Sequence, residues 1–451
     1  MTPDPTQTRR SFLGAVTGGL VAVTAAEPFA LSRRPAAGLA RSPHAIAAND
    51  HIQLAIVGAG GMGVEDVKTA LTVDGVKLVA ACDLYDGRLA DARRMWGADL
   101  VTTRDYREIL ARRDVDAVIV ATPDHWHQRI AVDAMDAGKA VYCEKPMVHG
   151  LGEGDAVIAA QRRNKAVFQV GSQGMSSLGN EKAKSLLVEG AIGALNYAEG
   201  FWARNSPTGA WQYPVPLDAS AQTVDFDRFL GSAPRTPFDP IRFFRWRNYR
   251  DYGTGVTGDL FVHLFSSLHF ITGSVGPVTI MASGGLRYWK DGRDAADVML
   301  GMFEYPDSPA HPPFNLSLRV NFVDGTSGST YLRLVGCEGA MDVTWDDVTV
   351  RRNKTWDPQR AVQKAFMHDP EPAGRPEMLP SPVEYKVEPG YKGAHYDHFA
   401  NFFGAMRGGR PVVEDAVFGY RAAAPALACN QSYYEKRAIH WDPVAMKVVG
   451  A

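Results

Sequence analysis

Cysteine is scarce in this chain. There are 4 among 451 residues, Cys82, Cys143, Cys337 and Cys429. That is too sparse for a disulfide scaffold, and no two stand at the close spacing of a zinc site, so thiol chemistry and structural zinc are poor explanations of function and no metal is expected. Charge imbalance is missing as well: Lys+Arg 48 against Asp+Glu 50 leaves a formal net charge of -2. No global field recruits a nucleic acid or an anionic membrane surface. The sequence also lacks a long apolar run. Its N-terminal stretch from Gly14 to Ala26 is shorter than the roughly 20 residues a spanning helix needs, and Gly14, Gly18 and Gly19 dilute it. Hydrophobic residues at 45%, charged residues at 22% and 28 prolines are the composition of a globular protein, which excludes a disordered or fibrous one. At about 150 residues per domain the length allows two or three domains, and two is the expectation.

Ahead of that diluted stretch stands Thr8-Arg9-Arg10-Ser11-Phe12-Leu13, which resembles a twin-arginine export signal. Ala26, Ala30 and Ala40 each offer a small residue for cleavage, and Leu31 to Asp50, rich in Ala, Arg, Pro and Ser, reads as a linker. Residues 1–50 are therefore assigned to a signal and linker, the alternative being an uncleaved tail on a cytosolic protein. The resemblance implies a periplasmic or otherwise extracytoplasmic protein, exported folded and often with its cofactor already bound.

From Ile52 a short β-branched strand ends in Gly58-Ala59-Gly60-Gly61-Met62-Gly63 and passes into a helical pattern, Val64 to Leu71. Gly58 permits the turn, Gly60 lets the backbone approach a pyrophosphate, and Gly63 lets the helix pack against the sheet, so that helix N-terminal N–H groups face the anion. A second strand, Val76 to Cys82, ends in Asp83, about 20 residues past the last glycine, where a carboxylate accepts hydrogen bonds from the adenosine ribose. An acid there repels a 2′-phosphate, which favours NAD over NADP. Arg88 is a possible phosphate partner, but its place in the following helix reads as solvent-facing.

The alternation continues: a helix at Tyr106 to Arg112, a buried strand at Val115 to Ala121, a helix at Gln128 to Ala137 and a strand at Ala140 to Cys143. Short connections between alternating strands and helices predict a doubly wound parallel sheet whose ligands lie beyond the carboxyl ends of the strands. Asp83, the loop Thr122 to His127, and Glu144-Lys145-Pro146 mark three such ends. His125, Trp126 and His127 lack a third ligand or a carboxylate pattern, so they read as a nicotinamide-side loop and not as a metal site.

Ala121-Thr122-Pro123 with His127, then Glu144-Lys145-Pro146, then Asp251-Tyr252-Gly253-Thr254-Gly255 leading to Asp259 and His263, follow in order the motifs of the glucose-fructose oxidoreductase / inositol dehydrogenase / rhizopine catabolism (Gfo/Idh/MocA) family. His395 to Phe403 and Trp441-Asp442-Pro443 are similar to its C-terminal helix and tail. The resemblance spans essentially the whole mature chain. It implies an NAD-binding Rossmann domain over 51–172, followed over 173–451 by an α+β domain with an open, mostly antiparallel sheet that carries substrate and oligomer contacts, in a dimer or tetramer. Gly58, Gly60, Gly61, Met62, Gly63, Asp83, Thr122, Pro123, His127, Glu144 and Lys145 would then hold the cofactor, and the Lys145-Pro146 peptide would be cis. Strand-like runs at Val278 to Met281, Val298 to Tyr305, Leu316 to Phe322, Thr330 to Val335 and Val348 to Val350 suit such a sheet. Lys354 to Gly390 reads as a polar, proline-rich surface excursion. Where many family members carry a further acid three residues after the histidine, this chain has Ser266, followed by Ser267.

Oxidising a secondary alcohol needs a base beside the carbon that gives up the hydride. Lys145 and His263 are the candidates. If Thr257 to Phe270 is helical, Asp259 and His263 project from one face. The resemblance implies Lys145 on the reacting oxygen, His263 as general base and Asp259 binding substrate or tuning the pair. His269 reads as a packing histidine. The run Phe243-Phe244-Arg245-Trp246-Arg247-Asn248-Tyr249 suits either a sugar-site wall or core lining. The expected function is an exported NAD(P)-dependent oxidoreductase with tightly bound cofactor, acting on a hydroxyl of a sugar, cyclitol or glycoside. The alternative is an NAD-dependent glycoside hydrolase that works by oxidation, elimination and re-reduction.

Overall fold

The computed structural model describes residues 50–205, 210–326, 330–353 and 382–450. The twin-arginine segment and residues 354–381 of the expected surface excursion lie outside the described residues.

Six parallel strands form the first sheet: β1 (Ile52–Val57), β2 (Val76–Cys82), β3 (Val101–Thr103), β4 (Ala117–Val120), β5 (Ala140–Glu144) and β6 (Phe168–Gly171), in the order β3-β2-β1-β4-β5-β6. Central strands such as β4 are buried along their whole length because helices cover both faces, which is why they read as continuous apolar runs. On one face lie α1 (Gly61–Ala70) and, from far along the chain, α10 (Ala394–Met406), whose Phe399, Phe402 and Phe403 join Ile52, Leu54 and Ile56 in one core. Phe399 stacks on Tyr142 of β5 at 4.3 Å between ring centres. The opposite face packs against α4 (His127–Asp136) and α5 (Gly154–Asn164) through Ile130, Met135, Val157 and Ile158. Strand order reverses between β1 and β4, and that leaves a crevice at the carboxyl ends.

The second sheet is mostly antiparallel, as expected. Its strands are β7 (Leu195–Ala203), β8 (Thr279–Gly285), β9 (Val298–Tyr305), β10 (Phe314–Asn321), β11 (Tyr331–Gly336), β12 (Gly339–Val343), β13 (Asp347–Arg352), β14 (Val383–Lys386), β15 (Ile439–Asp442) and β16 (Lys447–Val448). They run in the order β14-β13-β12-β11-β7-β10-β9-β8-β15-β16, with β7 and β10 parallel. Burial alternates along β9 and β10. The inner face meets α9 (Val262–Thr272) and α11 (Ala416–Glu435); the outer face leaves Met281, Leu300 and Met302 exposed. His269 on α9 is buried, with its Nε2 2.9 Å from the Tyr305 hydroxyl, which is the packing role expected of it. No helix among the described residues is long and apolar enough to cross a membrane.

Between β7 and α9 the chain makes an arm that crosses back over the first sheet. Its short helices α7 (Phe226–Leu230) and α8 (Pro240–Phe244) form a separate aromatic cluster with Tyr85, Tyr249 and Tyr252. The arm is pinned at the end of β2: Tyr85 bridges Val224, the Asp225 N–H donates to Leu84 O at 2.9 Å, the Asp86 N–H donates to Thr223 O at 3.0 Å, and the Tyr85 hydroxyl donates to Asp218.

Candidate active site

One cleft of about 750 Å³ runs along the carboxyl ends of the first sheet, under the arm and against the second sheet. It gathers side chains that the sequence scatters from Val57 to Trp345.

At one end, the turn after β1 is built by close approach. Gly58 has φ +98°, and a Cβ there would lie 2.4 Å from Ala121 O; a Cβ on Gly63 would lie 2.0 Å from Gly58 O. Gly60 and Gly61 instead face the open cleft, with nothing within 4 Å of a Cβ on Gly61. No side chain caps α1 at Gly60, so the first N–H groups of the helix are left for an anion. Asp83 is buried beside them: its Oδ2 accepts from the Ala59 N–H at 2.9 Å and its Oδ1 from the Tyr85 N–H at 3.0 Å. A carboxylate has about four acceptor sites, so room remains for ribose hydroxyls. This end fits a dinucleotide on its glycines, its uncapped helix and its acid.

Arg88 is not solvent-facing. Its guanidinium lies over the rings of Phe243 and Phe244, 5.6 and 5.3 Å from their centres, with Nη1 3.5 Å from Asp83. The arm supplies those two rings, and their packing turns an exposed helix position into a cleft wall. The run 243–249 therefore divides: Phe243 and Phe244 cover the Asp83 end, while Trp246 and Arg247 line the other.

Thr122 and Pro123 line the cleft, but His127 does not touch it. Its two ring nitrogens lie 2.7 Å from Pro146 O and 2.8 Å from Thr122 O, tying the loop after β4 to the turn after β5. The expectation that His127 contacts the cofactor is revised to a structural clamp. A second clamp was not anticipated from the sequence: the buried Asp124 accepts from the Thr254 N–H at 2.9 Å and from the Thr254 hydroxyl at 2.7 Å, fastening the same loop to the Asp251-to-Gly255 turn.

At the far end, Lys145, Asp259 and His263 meet. The Lys145-Pro146 peptide is cis, as the resemblance led us to expect. Lys145 Nζ donates to Asp259 Oδ1 at 2.7 Å and to Asp259 O at 2.8 Å, and Arg247 Nε stands 3.5 Å from the same carboxylate oxygen. Asp259 and His263 do not share one regular helix. Thr257–Phe261 is a π-helical turn that leads into α9, a distortion common at functional sites. Gly258 packs there against Thr254 so closely that a Cβ would fall 2.2 Å from its Oγ1.

Burial pushes the Asp259 carboxyl up, but the Lys145 ammonium and Arg247 guanidinium overcome it and hold the group well below the ordinary carboxylate range. Burial, reinforced by Lys145, holds His263 well below an ordinary histidine despite the pull of Asp259. The imidazole is neutral and sits in an aromatic frame, stacked on Trp202 at 5.2 Å with Trp345 edge-on at 5.9 Å. Glu144 also lines this end. It accepts from Gln173 Nε2 at 2.8 Å, and burial with the neighbouring Asp66 pushes it up to about 8, against the opposing effect of Lys145. Ser266 faces away, its hydroxyl donating to the buried Glu414 at 3.2 Å.

Gln173, Trp202, Arg204 and Trp345 belong to this end as well, and sequence reasoning missed all four. No local pattern marks them. Gln173 arrives in the short turn after β6, Trp202 and Arg204 on β7 and its exit, and Trp345 at the hairpin turn between β12 and β13, where the Gly179 N–H donates to Trp345 O at 2.9 Å.

Residues 52–172, within the first domain, match the model of the GFO_IDH_MocA oxidoreductase family with its NAD-binding Rossmann fold. The inositol 2-dehydrogenase of Salmonella paratyphi B is 32% identical over 144 residues, which are 32% of this chain and 43% of that protein. The 2,7-anhydro-N-acetylneuraminate hydratase of Mediterraneibacter gnavus is 30% identical over 161 residues, 35% of this chain and 42% of that one. The match thus spans less than half the length of these curated relatives. In three dimensions, a levoglucosan dehydrogenase in complex with NADH and levoglucosan superimposes with a TM-score of 0.63 at 18% identity, covering 87% of this chain and 99% of that one, which is a likeness of fold.

Proposed function

We propose that the protein is an NAD-dependent oxidoreductase that acts on a secondary hydroxyl of a sugar, cyclitol or glycoside and keeps its dinucleotide through turnover. The observation that carries this reading is the meeting of Lys145, Asp259 and His263 in the same cleft as the glycine turn and Asp83. Bound NAD would supply a hydride acceptor there. Gly60, Gly61 and the first turn of α1 would hold its pyrophosphate, and Asp83 its adenosine ribose, which favours NAD over NADP. Lys145, fixed by two hydrogen bonds to Asp259, donates to the substrate oxygen and stabilises charge that develops on it. His263, neutral because it is buried beside that ammonium, accepts the hydroxyl proton. Trp202 and Trp345 fix the plane of its ring.

Retention of the cofactor is supported by the arm, whose backbone bonds to Leu84 and Asp86 lie across the adenosine end. The names of the Salmonella relative and of the structural neighbour favour a sugar or cyclitol hydroxyl. The hydratase among the relatives favours a second reading, in which oxidation activates a glycoside for elimination and the ring is then reduced again. Both readings suit an exported enzyme, carried out by Arg9 and Arg10, that has no free cofactor pool to draw on. The exposed apolar outer face of the second sheet would serve a dimer or tetramer.

The deciding experiment releases and weighs the nucleotide from purified protein, then follows deuterium from the substrate carbon. Deuterium retained on a cleaved sugar selects the hydrolase reading, and an accumulated ketone selects the oxidoreductase. Protein that carries no nucleotide and binds NADP better than NAD overturns both. Solution mass reports the assembly, and fractionation of an Arg9→Lys, Arg10→Lys double variant tests export.

A further inference from the structure

The charges at the reacting end of the cleft do not balance. Three cationic side chains, Lys145, Arg204 and Arg247, line it together with one strong carboxylate, Asp259, which Lys145 and Arg247 share at 2.7 and 3.5 Å. Arg204 forms no ion pair among the described residues. Its guanidinium rests 6.0 Å from the centre of the Phe322 ring, and its field reaches both Asp259 and His263. Glu144 adds little compensation, since burial and Asp66 keep it protonated up to about 8, and His263 is neutral.

The other end differs. Arg88 is paired with Asp83 at 3.5 Å, Arg104 with Asp86 at 2.5 Å, and Arg228 with Asp225 at 3.5 Å, so the cations near the adenosine site already have acids of their own. The excess at the reacting end is therefore local. It is also chemically one-sided, because Lys and Arg only donate hydrogen bonds, while a neutral polyol both donates and accepts. Guanidinium groups match carboxylate and phosphate oxygens in pairs. The walls that remain are aromatic, Trp202, Trp246 and Trp345, and suit a ring face.

We infer that the hydroxyl substrate is an anionic sugar, bearing a carboxylate or a phosphate that Arg204 and Arg247 receive while Lys145 and His263 address the reacting hydroxyl. The inference rests on the oxidoreductase reading and narrows its substrate class. The anion supplies the acceptors this end lacks, and in a walled cleft the unbalanced field raises its local concentration as well as its affinity.

The test takes purified holoprotein and matched sets in the gluco, galacto and manno series: the neutral hexose, its uronate and its hexose phosphate. Binding is read by quenching of tryptophan fluorescence, and hydride transfer by the absorbance of reduced nicotinamide. In at least one series the uronate or the phosphate should bind about tenfold or more tightly than the neutral hexose, and whichever does identifies the anion. That preference should shrink as salt rises, collapse in Arg204→Gln and persist in Arg204→Lys. Neutral hexoses binding as tightly as the anions overturns the inference; so does a failure of every anion to bind, or an Arg204→Gln variant that weakens all members alike. Anions that bind by way of Arg204 without reducing nicotinamide leave an anion-binding site but remove the oxidoreductase reading and, with it, the anion's role as substrate, whereas oxidation without preference for anions removes the anion inference and leaves the oxidoreductase reading.

Discussion

The two ends of the cleft are made by different means. The adenosine end is made of backbone: glycines at closest approach, an uncapped helix and one acid held by two N–H groups, with the arm laid over them. The reacting end is made of side chains from six separate stretches: the turn after β5, the turn after β6, β7 and its exit, the arm, the π-helical turn with α9, and the β12–β13 hairpin. Binding a shared cofactor calls for a shape that adjacent residues can build. Orienting a lysine, a carboxylate and an imidazole around one hydroxyl calls for elements that approach from different directions.

If that division holds, a lesion at the reacting end should slow chemistry and spare cofactor binding. His263→Ala should lower kcat by about 10² to 10⁴ while NAD affinity stays near that of the wild type, since a general base acts only as the hydride departs. Stopped-flow reduction of bound NAD alongside calorimetric binding separates the two quantities. Full turnover in the variant would remove His263 from its role and with it the contrast between the ends.

A lesion in the backbone end should do the opposite, through packing. In Gly63→Ala the new Cβ falls 2.0 Å from Gly58 O, so α1 must move off the turn. Overpacking of this kind costs about 1–3 kcal/mol, and cofactor affinity should fall with it. Gly61→Ala, with open space around its Cβ, is the control and should change unfolding stability by no more than about 0.5 kcal/mol. Equal denaturant midpoints for the two variants would mean that the close approach carries no energy.

The same division governs how much was legible in the sequence. Gly58 to Gly63 and Asp83 announce themselves because a turn, a helix start and a strand end lie within one unit of chain, and the buried parallel strands show as apolar runs. Lys145, Asp259 and His263 were also found, by their motifs. Arg88 was misread because a helix position facing outward in its own unit is covered by Phe243 and Phe244, some 150 residues away in the numbering. β7 was missed altogether, although it is central to the second sheet. Glu199 and Gly200 interrupt its apolar pattern, and Gly200 packs where a Cβ would lie 2.7 Å from Leu318. With β7 went Trp202 and Arg204. Trp345 was invisible for a related reason: a hairpin turn is read as surface, and only the docking of Gly174 and Gly179 against it brings the indole to His263.

A sharper test of the backbone end uses Asp83→Ala. The carboxylate both accepts from two N–H groups and faces Arg88, so its removal frees the guanidinium as it weakens ribose recognition. The ratio of NADP to NAD affinity should rise about tenfold, the effect of roughly 1.4 kcal/mol. Adding Arg88→Ala should take back the NADP gain. An unchanged ratio in Asp83→Ala would place the ribose elsewhere.

The smallest expected effect concerns the acids buried behind the reacting end. Burial pushes Glu144 and Glu414 up to about 8, and the same burial lowers His125 and His398 to about 4 and His269 to about 3. From about 4 to 6.5 the unfolded histidines bind protons that the native ones refuse, so their share of stability rises with pH. From about 4.5 to 8 the native acids keep protons that the unfolded chain has released, so their share falls with pH. The two oppose each other below 6.5. Above it the histidines are neutral in both states, and the acids act alone. Stability should therefore decline between pH 6.5 and 8, by an amount on the order of 1 kcal/mol for each acid. Glu414→Gln keeps an acceptor for the Ser266 hydroxyl and removes the titration, so its urea midpoint should fall less steeply over that window than that of the wild type. A wild-type midpoint that is flat or rising from pH 6.5 to 8 would show both acids to be ionised in the folded protein, and Glu144 would then cancel part of the positive excess from which the anionic substrate was inferred.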